Sequence, residues 1–191
     1  MVYMIYLAAG LSSRYGSNKL LEMVNGKPMY RHLLDILTVM KEEEPRRFEL
    51  VVVTAYDEIE HALQGLPVKV VRNHHQELGA SHSIKLGLEA CGEIGRHDHV
   101  MFAVADQPYL QEEEVFGFIH MYQRSYKGIG VLCWKGEMGN PVIFQGKFVP
   151  ELMALTGDVG GKAVVKEHLS EVFRYEADSQ LSLQDIDTPQ K

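Results

Sequence analysis

"VYMIYLAAGLSSRYGSNKLL", Val2 to Leu21, is the stretch on which the fold turns. Val2 to Leu7 is an uncharged apolar run with two tyrosines, the pattern of a strand covered on both faces. It runs directly into Ala8, Ala9 and Gly10, small residues that let a ligand approach the backbone. Successive backbone N–H groups in such a loop can form an anion nest. Arg14 can grip two phosphate oxygens, and Lys19 adds a point charge. Ser12 and Ser13 add hydroxyl donors. Together they suit a polyanion, best a triphosphate. The stretch is neither GxxxxGK[ST] nor GxGxxG, because Gly10 and Gly16 are wrongly spaced and the middle glycine is missing. On spacing alone, a plain glycine-containing turn with solvated Arg and Lys remains the alternative.

Working outward, Phe48–Thr54, Val68–Val71 and Val100–Val104 repeat the apolar strand pattern. Helical spacing lies between them. Pro28 is expected to open a helix carrying Met29, Leu33, Leu34, Leu37 and Met40 inward. Asp57 is expected to cap a short helix running to Leu63. Ile84, Leu88 and Cys91 form a third stripe, and Val115, Ile119 and Tyr122 a fourth, behind a first turn of acids. Beyond Lys127, "GIGVLCW" and "NPVIF" read as two strands joined by a turn-rich segment. A helix near 161–169 and the strand "VFRYEA" follow. Apolar strands alternating with amphipathic helices predict an α/β domain with a mostly parallel, mixed sheet.

The 191 residues fit one domain, 1–191, and 46% apolar residues suffice for its core. The net charge of −7 argues against a broad nucleic-acid or anionic-membrane surface. Cys91 and Cys133 are far apart and read as buried free thiols, in keeping with a reducing cytoplasm. No stretch reads as a signal peptide or a membrane span.

In such sheets ligands gather outside the carboxyl ends of the strands. That rule selects the loops starting at Ala8, Thr54, Arg72 and Ala105. In "RNHHQELGASHS", Ser81 or Ser83 can touch a ligand or cap a helix, while His74, His75 and His82 read as surface histidines. In "VMFAVADQPYL", Asp106 ends a buried strand, where a carboxylate can hold Mg²⁺ against a triphosphate. In "LTGDVGGK", Asp158 can cap the following helix or supply a second metal carboxylate.

"LAAGLSSRYGSNKLL", "GASHSIKLGL", "ADQPYL", "GNPVIF", "TGDVGG" and "DIDTP", in this order, resemble the MobA-like nucleotidyltransferases, especially the molybdenum cofactor cytidylyltransferases. The resemblance implies a three-layer Rossmann-like nucleotidyltransferase fold. It also implies Mg²⁺-dependent transfer of CMP from CTP to the terminal phosphate of molybdopterin, with release of pyrophosphate. It carries Leu7, Ala8, Ala9, Gly10, Arg14, Lys19, Asn73, Ser83 and Asp106 over as nucleotide-binding positions. Arg14, Lys19 and Asp106 are carried over as catalytic, and Asp106 and Asp158 as metal ligands. Guanylyl-transferring relatives tend to show LAGG; Ala9 in LAAG would narrow a base pocket toward cytosine. Two departures stand out. His74, His75 and Gln76 replace a Pro- and Trp-containing run after Asn73, and Asn140 stands where some relatives have His.

The expected partners are the nucleotide, molybdopterin and a molybdenum hydroxylase or its chaperone, in the cytoplasm, with no nucleic acid or membrane. The alternatives are use of GTP, another phosphate acceptor such as a sugar phosphate or methylerythritol phosphate, and a non-catalytic nucleotide-binding accessory protein.

Overall fold

The computed structural model describes residues 1–10 and 18–186. The first strand, β1 (Val2–Ala8), leads by a short 3-10 turn at Lys19–Leu21 into a hairpin of β2 (Met23–Val24) and β3 (Lys27–Pro28). Next come α1 (Arg31–Glu43), β4 (Phe48–Thr54), α2 (Asp57–Ala62), β5 (Lys69–Arg72), α3 (Ala80–Cys91), β6 (His99–Val104) and α4 (Glu112–Arg124). The remainder is β7 (Ile129–Trp134), β8 (Glu137–Gln145), α5 (Val149–Ala154), α6 (Lys162–Glu167) and β9 (Val172–Glu176).

Among the described residues, seven strands form one sheet in the order β5-β4-β1-β6-β8-β7-β9. The strands β5, β4, β1 and β6 are mutually parallel, β8 runs antiparallel to β6 and β7, and β9 pairs parallel with β7. The mixed far edge agrees with the sequence pattern.

Alternation along each strand sorts its side chains onto two faces. Met4, Tyr6 and Ala8 of β1, with Leu50 and Val52 of β4, join one core with Leu34 and Leu37 of α1 and Phe118 and Ile119 of α4. Ile5, Val51, Val53 and Phe102 join a second core with Ile84 and Leu88 of α3, Leu152 of α5 and Val165 of α6. Helices thus cover both faces, making three layers, and the uniform apolarity of the central strands follows from that double burial.

Two local expectations are corrected. Pro28 lies in β3, and α1 begins only at Arg31, because the hairpin takes the first residues of the helical pattern. Asp57 is the first residue of α2 and does not cap it; its carboxylate instead meets Arg72 Nη2 at 2.7 Å, closing α2 onto β5. Cys133 is buried and Cys91 half-buried, and both are free thiols. Burial pushes the Cys91 thiol up to about 12, which keeps it an inert thiol at neutral pH. Among the described residues no helix is long and apolar enough to cross a membrane.

Candidate active site

The parallel strands β1, β5 and β6 end at the same edge of the sheet, and the loops after them enclose a cleft of about 530 Å³. The floor is Leu7, Ala9 and Gly10 with Val104, Ala105 and Asp106; Gln76, Gly79, Ala80 and Ser83 form one wall, Lys19 and Asp158 others. Three of the four loops selected from the sequence therefore line it. The fourth, after β4, contributes hydrogen bonds from behind.

Lys19 is set by the 3-10 turn that Asn18 opens, its Oδ1 accepting from Leu20 N–H at 3.1 Å. Leu20 is buried and anchors the turn in the core. Lys19 Nζ then donates to Asp106 Oδ2 at 2.9 Å, with side chains only 12% and 24% exposed. A cation and a carboxylate 87 residues apart thus meet inside the cleft.

Asp106 follows the last residues of β6. Ala105 N–H donates to Leu7 O at 3.1 Å, tying the ends of β1 and β6 together. From the other side, Ile186 N–H donates to Asp106 O at 3.0 Å, and Gln107 Nε2 donates to Asp185 Oδ1 at 2.7 Å and Leu183 O at 3.1 Å. The segment after β9 therefore straps the Asp106 turn in place. Below it lies Tyr6, fully buried, whose hydroxyl donates to Tyr30 O at 2.7 Å. Burial, with Asp106 and Asp35 adding, pushes that phenol far above its ordinary range, so it stays neutral.

The floor backbone is held by three side chains. Thr54 Oγ1 donates to Ala8 O at 3.2 Å, Gln76 Nε2 to Ala9 O at 2.9 Å and Tyr56 OH to Gly10 O at 2.6 Å. These residues, absent from the sequence-based candidates, are reached only by the fold. The one sequence signal was negative: Gln76 sits where the family pattern departs.

Asn73 does not itself line the cleft. It is 2% exposed and donates through Nδ2 to Ser83 Oγ at 3.0 Å, so it positions the serine that does. Asp158 neither caps the helix after it nor stands alone. Its Oδ1 accepts from Ala80 N–H at 3.3 Å, at the start of α3, while α6 begins beyond Gly161. Ser81 Oγ donates to Gly157 O at 2.8 Å across the same seam. Gly79 makes this approach possible: φ is +80°, and a Cβ there would lie 2.6 Å from Gly157 C and O. Asn140 lies in β8, at the Asn140–Pro141 bond, and is not part of the lining. His74 and His75 are exposed, as expected; His75 Nδ1 pairs with Glu77 Oε1 at 3.0 Å. Arg14, Ser12 and Ser13 lie outside the described residues, as does "DTP" of the final motif.

A floor of small residues, a cation and a strand-end carboxylate share one cleft, and residues 4–172 match the MobA-like NTP transferase domain. The chain belongs to that family. It is 26% identical over 196 residues to the purine catabolism protein PucB of Bacillus subtilis, covering 98% of this chain and 92% of PucB. Rv0371c of Mycobacterium tuberculosis superimposes with a TM-score of 0.76 at 23% identity, covering 98% of this chain and 94% of that one. Mth528, a nucleotidyl transferase of Methanothermobacter, gives 0.76 at 23%, covering 98% and 92%. These likenesses show an α/β nucleotidyltransferase-like fold with a mostly parallel mixed sheet.

The donor set fits a hard divalent cation. Such an ion takes one or two carboxylates and completes its shell with phosphate oxygens and water. Asp106 and Asp158 both line the cleft, and Asp158 Oδ2 carries no hydrogen bond among the described residues. Among the described residues, the group of three metal-ligating side chains whose atoms lie close together, Glu151, Glu167 and His168, is outside this cleft.

Proposed function

We propose that the protein transfers CMP from CTP to the terminal phosphate of molybdopterin, releasing pyrophosphate. The observation that carries nucleotidyl transfer is the Lys19–Asp106 pair, which brings a phosphate-binding cation against a metal-binding carboxylate at the strand ends. The choice of CTP rests on Ala9, a lining residue of the cleft that stands where guanylyl-transferring relatives tend to have glycine. The choice of acceptor rests on the motif order; the relative named for purine catabolism supports a role in a catabolic route.

In this reading the triphosphate lies over Ala9 and Gly10, with Lys19 on its β- and γ-phosphates and Arg14 as a second cation; Ala8 is buried beneath them and is not part of the lining. Asp106 and Asp158 would hold Mg²⁺, which when bound would supply positive charge to the phosphates. The acceptor phosphate is already a nucleophile and needs no side-chain base. Its oxygen forms the bond to the α-phosphorus as the α–β bridging oxygen leaves with pyrophosphate. Lys19 neutralises charge on that leaving group, and the rigid floor keeps attacking and leaving oxygens in line. Positioning and charge stabilisation carry the rate.

The test is pyrophosphate release from CTP, GTP and ATP, each with and without molybdopterin. Release from CTP only when molybdopterin is present is expected. A preference for GTP would remove the argument from Ala9. Nucleotide binding without turnover on molybdopterin, a sugar phosphate or methylerythritol phosphate would leave a binding module in place of an enzyme.

A further inference from the structure

We infer that Gln76, seconded by Tyr56, is a positioning residue for nucleotide binding: it orients the peptide groups of the cleft floor and shields a carbonyl dipole from the triphosphate. The inference rests on the reading of this cleft as a nucleotide site. Three consecutive carbonyls, Ala8, Ala9 and Gly10, each accept a side-chain hydrogen bond from outside their own loop. Two of the donors, Thr54 and Tyr56, stand at and just after the end of β4. Gln76 comes from the 3-10 turn after β5, and among the three donors it alone lines the cleft.

The physical reason lies in the planarity of the peptide group. In a trans peptide the carbonyl of one residue and the N–H of the next point in opposite directions. Drawing Ala9 O toward Gln76 therefore turns Gly10 N–H to the other side, and Thr54 on Ala8 O does the same for Ala9 N–H. Holding three successive carbonyls fixes the direction of the amide dipoles before any ligand arrives. Gly10 lacks a side chain that could resist a peptide flip, and among the described residues a Cβ built there would meet nothing within 4 Å. The hydrogen bonds from Gln76 and Tyr56 supply that restraint. An uncommitted Ala9 carbonyl in this cleft would present partial negative charge to a polyanion, and the Gln76 amide occupies that acceptor. A carboxylate of similar shape could not donate at neutral pH and would add repulsion.

Gln76→Leu, Gln76→Glu and Tyr56→Phe test this, with binding of CTP and of GTP measured by calorimetry in the presence of Mg²⁺ and melting followed in parallel. Gln76→Leu is expected to weaken binding of the preferred nucleotide about five- to tenfold, the scale of one lost hydrogen bond. Gln76→Glu is expected to weaken it further, and the Tyr56→Phe double variant less than additively, because both donors act on one backbone unit. In turnover the nucleotide KM rises, while kcat at saturation and the acceptor KM stay near wild type. A merely structural lesion would instead lower melting temperature and active fraction, with KM unchanged. Wild-type binding with equal affinity in Gln76→Leu and Gln76→Glu overturns the inference alone. Absence of nucleotide binding in the wild type overturns the nucleotide-site reading and the inference with it.

Discussion

Lys19 and Asp106 neutralise each other at 2.9 Å, yet each is assigned to a different ligand of the same reaction. A metal entering alone must displace an ammonium from its carboxylate, whereas a metal–nucleotide complex offers Lys19 phosphate oxygens in exchange. Binding of metal and nucleotide is therefore coupled. Lys19→Met is expected to raise the affinity for Mn²⁺ in the absence of nucleotide and to weaken that for the nucleotide complex, as read by calorimetry. Weaker Mn²⁺ binding in this variant would refute the competition. Lys19→Ala and Asp106→Ala are each expected to lose about 10²–10³ in turnover, the scale for one charged transition-state contact. Their melting should remain close to wild type, since neither side chain belongs to the core. Both residues were legible in the sequence, because a charged group beside a buried strand end is chemically conspicuous. Gln76 was not, because its partner Ala9 is 67 residues away and nothing local marks an amide that reaches another loop's backbone.

At the level of elements, the wall of the cleft is a seam between the start of α3 and the 157–158 loop. Gly79→Ala would force a Cβ into Gly157 at a positive φ. A loss of about 1–2 kcal/mol or more is expected, with weaker nucleotide binding as Ala80 and Ser83 shift. Chemical denaturation beside a nucleotide titration checks both. Asp158 accepts from the start of α3, 78 residues away, and not from the adjacent helix, the only cap that local sequence could offer. The start of β6 carries a pH dependence of its own. Burial, with the N-terminal ammonium adding and Asp98 opposing, holds His99 below its ordinary value of 6.5. The unfolded chain then binds more protons there than the native one as pH falls below 6.5. The stability contributed by neutral His99 is thus present above 6.5 and lost as pH drops toward its folded value. Melting temperature plotted from pH 7 to 5 should fall less steeply in His99→Gln; an unchanged slope would count against this.

For the whole molecule, the segment after β9 returns across the sheet and closes on the Asp106 turn. Its anchor is Glu114, 3% exposed, whose carboxylate accepts from Ser182 Oγ at 2.8 Å, Asp178 N–H at 3.0 Å and Gln111 N–H at 3.2 Å. Glu114→Ala leaves those donors without their acceptor, at a cost of about 2–3 kcal/mol. Hydrogen exchange should quicken across 178–186, with turnover falling because Ile186 and Gln107 no longer brace Asp106. Protection unchanged in that segment would show that the strap is held elsewhere. Apolar runs and helical stripes by themselves determined the succession of strands and main helices along the chain and the α/β class with a mostly parallel, mixed sheet. These depend on periodicity, which the chain carries locally. The tertiary structure alone decided the β2–β3 hairpin, the Asp158 cap on α3, the Asn73 support of Ser83 and the three-fold hold on the cleft floor. Each joins groups distant in sequence or settles a choice between local alternatives, and that choice is made by which surfaces the packed sheet brings together.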